Sequence, residues 1–149
     1  MTDPTRQPDV REQRPLGYWL KHIDGAIEES LGRLLAADGL DRRAWQVLNT
    51  LACGPITTAG LDGTMAAFLS ADEPTMRPHA DRFVGRGWAR RDGDGVLALT
   101  DEGRTAHRRI SERVGTLRLR LMECLSPEEH AVLMELLRRL ATHLDALAV

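Results

Sequence analysis

The sequence is short of aromatic residues, cysteine, net charge and long apolar runs, and each shortage removes a class of protein. Its two cysteines, Cys53 and Cys124, lie far apart, which suits neither a disulfide framework nor a zinc-ligand spacing. No metal or cofactor is expected. The longest apolar run falls well short of the roughly 20 residues that a membrane span needs. Met1 to Arg14 is polar where a secretory leader would carry an apolar core, so a cytoplasmic protein with no membrane contact is expected. Twenty basic side chains stand against 22 acidic ones, for a net charge of −2. Any affinity for nucleic acid must therefore come from local clustering of arginine. There is no glycine-rich phosphate loop, nucleophile elbow or His-Glu zinc motif, which leaves an enzyme with little support.

What is present is an ordinary globular composition, 42 % hydrophobic and 28 % charged over 149 residues. That length suits a single domain burying roughly two-thirds of its unfolded surface. Residues 1–15 lack any apolar period and read as a flexible tail, leaving 16–149 as the domain. Leu20, Ile23, Ile27, Leu31 and Leu34 recur at three- and four-residue steps and predict a first helix ending near Asp38-Gly39. Asp41 can cap a second, which Cys53-Gly54-Pro55 stops. Thr57 or Thr58 can cap a third, carrying Leu61, Met65 and Phe68. A fourth opens at the acidic, proline-containing stretch Ala71–Pro74 and runs to Arg86, with Gly87 as its stop and Met76, Ala80, Phe83 and Val84 on its core side.

The period then changes. Trp88–Arg91 and Val96–Leu99 are strand-like, and the Asp-Gly pairs between them suit a tight hairpin. Thr100 caps a long helix striped by Ala106, Ile110, Val114, Leu117, Leu121 and Leu125. Ser126-Pro127-Glu128-Glu129 is a capping box that opens the last helix. In that helix Leu133, Leu137, Leu140, Leu144 and Leu147 form the narrow seam of a helix packed lengthwise on another. The expected fold is mainly α, a winged helix-turn-helix in the order α-α-α-α-β-β-α-α, with helices at both ends free to pair two copies.

A helix, a turn, a second helix and a hairpin can place that second helix in a major groove and the hairpin on the flanking backbone. Between Pro74 and Arg91 stand Arg77, Arg82, Arg86, Arg90 and Arg91 against one acid, Asp81. That makes a basic stripe on a near-neutral protein. Gly17-Tyr18-Trp19-Leu20-Lys21-His22, Arg43-Ala44-Trp45-Gln46-Val47-Leu48, Phe83-Val84-Gly85-Arg86-Gly87-Trp88 and Leu99-Thr100-Asp101-Glu102-Gly103-Arg104 occur in that order. In this combination the chain resembles the MarR family of bacterial transcription regulators over nearly its whole length after Pro15.

The resemblance implies a winged-helix homodimer bound to a pseudo-palindromic double-stranded DNA operator, usually as a repressor and often released by a small aromatic ligand or an oxidant. It implies a DNA-binding lobe at 41–100, and dimerisation helices at 16–38 and 101–147 with Leu133, Leu137, Leu140 and Leu144 in the interface. The recognition helix would span about Glu73 to Arg86. Thr75, Met76, Arg77 and His79 would face bases, and Arg82 and Arg86 would meet phosphates. Arg90 and Arg91 would touch backbone or minor groove, and Thr57 and Thr58 could hold a phosphate at a helix N-terminus. Tyr18, Trp19, His22 and Trp45 could wall a ligand pocket, with ordinary packing as the alternative. Cys53 could sense oxidants if exposed, but burial is the expectation for it and more so for Cys124.

Two features depart from the family pattern. Pro78 inside the recognition segment removes a backbone donor, so the helix either bends there or starts only at Pro78, with a loop before it. The wing tip Asp92-Gly93-Asp94-Gly95 is acidic and lacks an arginine. Both keep open an alternative, a winged-helix dimer serving as a protein-interaction module with weak or no DNA binding.

Overall fold

Short polar signals set most of the helix boundaries in the computed structural model, which describes residues 13–148. Residues 1–12 of the expected tail, and Val149, lie outside the described residues. Helix α1, Leu16–Ala36, ends where Gly39 takes a φ of +71°. There the Leu40 and Gly39 amides return to the carbonyls of Leu35 and Ala36, both at 3.0 Å, the doubled closure for which a left-handed glycine is best suited. Helix α2, Arg42–Ala52, is capped by Asp41, whose carboxylate accepts from the Ala44 amide at 2.7 Å. It stops as expected at Cys53-Gly54-Pro55.

Directly after that stop lies a strand that the sequence reading missed, β1, Ile56–Thr57, too short to show alternation. Helix α3 covers only Thr58–Thr64, and a 3-10 turn follows at Ala66–Phe68. The third helix is therefore shorter than expected, and Phe68 is exposed beyond it. Helix α4 is Arg77–Gly85, β2 is Ala89–Arg91 and β3 is Val96–Leu99. The three strands form an antiparallel sheet in the order β1-β3-β2, with Ile56 opposite Leu97 and Ala89 opposite Leu99. Helix α5 is Asp101–Leu121, so Leu125 falls in the turn after it, and α6 is Pro127–Leu147.

The chain divides between Arg108 and Arg109 into two compact units. In the first, α2 is the hub, packing on α1, α3, α4 and β3. Its Val47, Leu48 and Leu51 are buried, as are Leu35, Leu61, Met76, Phe83 and Leu97, and this apolar centre fixes the angle at which α3 and α4 leave the surface. Phe83 and Trp88 stack with centroids 6.0 Å apart across the turn that ends α4. In that turn Gly87, at φ +79°, lets the Trp88 amide reach the Phe83 carbonyl at 2.9 Å. Gly103, in the first turn of α5, lies so close to the residue preceding β2 that a Cβ there would sit 1.9 Å from the Trp88 carbonyl oxygen. Thr100 caps α5 with its hydroxyl, which accepts from the Gly103 amide at 3.0 Å and donates to the Gly87 carbonyl at 2.6 Å.

In the second unit Ile110 and Val114 are buried. Ser126 and Glu129 form the expected capping box: the Glu129 amide donates to the Ser126 hydroxyl at 3.1 Å and the Ser126 amide to the Glu129 carboxylate at 2.9 Å. Those bonds hold the Glu129 carboxyl below its usual pKa. No described residue of α6 is buried. Leu137 and Leu140 are half-buried, and Leu133, Leu144 and Leu147 are exposed.

Candidate nucleic-acid interface

The segment before α4 is a loop over residues 69–76 that borrows its cap from α3. Asp62 accepts the Met76 amide at 2.7 Å through one carboxylate oxygen and the Thr75 hydroxyl at 2.7 Å through the other. This satisfies a donor at the head of α4, where Met76 itself offers no capping side chain. Pro78 falls in the first turn of α4, where its missing N–H costs no helical bond. The structure thus corrects the expected start near Glu73 and takes the second of the two alternatives for Pro78: loop first, helix after. Asp62 is a site residue that the sequence reading missed, because a cap reaching across 14 positions leaves no local pattern.

Two of the four residues expected to face bases point inward. Met76 is fully buried and His79 is only 5 % exposed. Both belong to the stripe of Met76, Ala80 and Phe83, because positions three and four apart share a helix face. The sequence reading had put Met76 on that core side as well as among the base contacts. His79 Nε2 lies 2.5 Å from a Glu73 carboxylate oxygen, while its Nδ1 is buried with no hydrogen-bond partner among the described residues. Arg43 Nε is 4.0 Å from the other Glu73 oxygen, and its guanidinium sits 4.2 Å from the centre of the Phe68 ring. Thr75 is half-buried with its hydroxyl committed to Asp62. The exposed face of α4 is left to Arg77, Pro78, Asp81, Arg82 and Gly85.

The arginines are not equivalent. Asp81 holds two of them: Arg91 Nη2 is 2.9 Å from one carboxylate oxygen and Arg77 Nε is 3.7 Å from the other. Arg86, expected on a phosphate, is instead a structural tether. It donates to the Asp38 carbonyl at 2.7 Å and lies 3.7 Å from the centre of the Trp88 ring. Arg82 and Arg90 make no ion pair among the described residues. Arg90 and Arg91 are adjacent in β2, and neighbours in a strand point to opposite faces. Arg91 turns to α4, whereas Arg90 lines a cleft of about 180 Å³ with Pro55, Leu99 and Arg104. The two do not form one contact patch. At the wing tip Asp92 accepts from the amides of Asp94 and Val96, both at 2.9 Å. Gly95 alone of the two tip glycines takes a positive φ, +78°. Thr57 caps α3, accepting from the Gly60 amide at 3.0 Å, and Thr58 is the first residue of that helix.

No family model matches the sequence, and no curated protein matches it. Solved structures do. The reduced form of MarR from E. coli superposes with a TM-score of 0.69 at 23 % identity, over 90 % of this chain and 98 % of that one. The MarR-family protein Rv2887 of Mycobacterium tuberculosis, in complex with DNA, gives 0.68 at 20 % identity, over 86 % and 98 %. NadR in complex with 4-hydroxyphenylacetate gives 0.66 at 24 % identity, over 89 % and 99 %. The chain has the MarR fold.

Within this MarR fold three of the four suggested ligand residues lie together. Tyr18 stacks on His22 with centroids 5.8 Å apart and meets Trp19 edge-on at 5.2 Å, while the Arg14 guanidinium sits 4.8 Å from the centre of the Tyr18 ring. Trp45 is not part of that group. It is buried, stacked on His107 with centroids 5.3 Å apart, and His107 Nε2 is 2.8 Å from Asn49 Oδ1. Burial holds the His107 pKa below its ordinary value. Both cysteines are exposed, against the expectation of burial. Cys53 is the C-cap of α2, with its thiol 3.4 Å from the Asn49 carbonyl, and Cys124 occupies the turn between α5 and α6. Helix ends and turns are surface positions, which outweighs the apolar character of the side chain. Among the described residues no helix is long and apolar enough to cross a membrane.

Proposed function

We propose that this chain is a MarR-family transcription regulator, a homodimer that represses a gene by binding a pseudo-palindromic operator in double-stranded DNA and is released by a small aromatic ligand. The observation that carries the reading is the exposed face of α4. Arg77 and Arg82 project from it beside a two-stranded wing, on a helix held at a fixed angle by the α2 core and the Asp62 cap. An exposed guanidinium on such a helix can grip guanine through two hydrogen bonds or neutralise a phosphate. The Rv2887 structure contains DNA and the NadR structure contains an aromatic carboxylate, which supports both halves of the proposal. Dimerisation rests on the exposed Leu133 and Leu144 and the half-buried Leu137 and Leu140 of α6, an apolar stripe suited to a second copy.

Selection of bound duplexes from a random pool tests this. The expected product is an inverted repeat with half-sites about one helical turn of DNA apart, and Arg77→Ala with Arg82→Ala should abolish its binding while sedimentation still reports a dimer. A pool with no enriched sequence, or affinity unchanged in the double variant, refutes the proposal. The burial of Met76 and His79 and the acidic wing tip favour one other reading, a dimeric protein-interaction module. That module would ignore duplex DNA at low salt, whereas a regulator binds it and loses affinity steeply as salt rises.

A further inference from the structure

Asp81 lies on the exposed face of α4, between the guanidinium groups of Arg77 on the same helix and Arg91 on β2. Its carboxylate takes Arg91 at 2.9 Å and Arg77 at 3.7 Å, from opposite oxygens. A DNA phosphate offers an arginine the same thing, a delocalised anion with two oxygens for a forked donor. We propose that Asp81 acts as a built-in phosphate surrogate, occupying Arg77 and Arg91 in the free protein and so holding down sequence-independent affinity for the DNA backbone. The inference rests on the DNA-binding role proposed above.

Charge explains the effect. Of the five arginines from 77 to 91, Arg86 is anchored to the Asp38 carbonyl and Trp88, and two share Asp81, which leaves Arg82 and Arg90 without an ion pair among the described residues. Backbone-only binding must break the Asp81 pairs and place a carboxylate near phosphates, for a return that is the same on every sequence. Binding that also makes base contacts gains extra energy to set against that cost. Asp81 therefore widens the gap between selected and random DNA. The Arg91 side chain is 24 % exposed, so its pairing is only partly screened by water, unlike that of a fully solvated ion pair.

Fluorescence anisotropy with a random-sequence duplex, titrated between about 50 and 200 mM salt, tests the proposal. Asp81→Asn and Asp81→Ala should each bind roughly tenfold more tightly at the low-salt end, and log affinity should fall with log salt more steeply by about one for each arginine released. Asp81→Glu, which keeps the charge, should stay near the parent. Circular dichroism melting identifies any variant that has lost its fold, and the alanine variant serves if the asparagine variant has. Unchanged or weaker binding by a folded neutral variant overturns the proposal. If the parent ignores every duplex but the neutral variants bind, Asp81 has the assigned role and the parent is no DNA-binding regulator. If none binds, both ideas fall.

Discussion

Helix α5 contains two glycines, and the same substitution should act on them with opposite sign. At Gly103 an added Cβ would stand 1.9 Å from the Trp88 carbonyl oxygen and 2.7 Å from its carbon, both backbone atoms that no side-chain rotation can move. The helix start and β2 must therefore part by about an ångström. That displacement acts on the Thr100 amide bond to the same carbonyl, 3.0 Å long, and on the Thr100 hydroxyl bond to Gly87. Overpacking a rigid contact costs typically 1–3 kcal/mol and a weakened hydrogen bond about 1 kcal/mol more. Gly103→Ala should thus lose about 3 kcal/mol, equivalent to roughly 10 °C in melting temperature for a chain of this size. At Gly115 nothing lies within 4 Å of the added carbon, so alanine should gain up to about 1 kcal/mol from helix propensity. Thermal and urea unfolding followed by circular dichroism would measure both. A Gly103→Ala protein as stable as the parent would refute the close approach of α5 to the Trp88 backbone.

Three further outcomes follow from named contacts. Asp62→Ala removes the acceptor of the Met76 amide and the Thr75 hydroxyl and should cost about 1–2 kcal/mol in urea unfolding; no loss would mean the cap is dispensable. Burial lowers the His107 pKa, so the neutral imidazole is the form the fold prefers. Its contribution is intact above the unfolded value of about 6.5 and is lost as pH falls through the lower folded value, so melting temperature should drop on acidification below about pH 6.5 and drop less in His107→Gln. Equal slopes in the two proteins would remove His107 as the cause. Leu140→Asp places a charge in the half-buried seam of α6 and should yield monomeric or unfolded protein by sedimentation; an intact dimer would exclude that seam as the interface.

The elements legible in the sequence were those whose signals are local. Asp41, Thr57, Thr100 and Ser126 each cap a helix within three residues of themselves, and such spacings can be read directly. Gly87 ended α4 as expected because a left-handed residue there is a local requirement. The features that escaped are made by distant partners. β1 exists only because β3 pairs with it across some 40 residues. The start of α4 depends on Asp62, and the fate of Arg86 on a carbonyl 48 positions earlier. Charge clustering pointed to α4 and the hairpin but could not show which arginines are engaged within the protein. Met76 and His79 were placed among the base contacts although both share, at helical spacing, the core face of Ala80 and Phe83.

Burial of Met76 and His79 has a consequence for how a duplex would be read. The outward surface of α4 offers two guanidinium groups, a carboxylate, a proline ring and a bare glycine backbone, a sparse set of groups for interrogating base edges. In a complex of the kind proposed, much of the discrimination would pass to the mechanics of the duplex: groove width, step flexibility and the work of bending it across two subunits. The recovered operator would then carry its strongest preferences partly at positions that no side chain reaches.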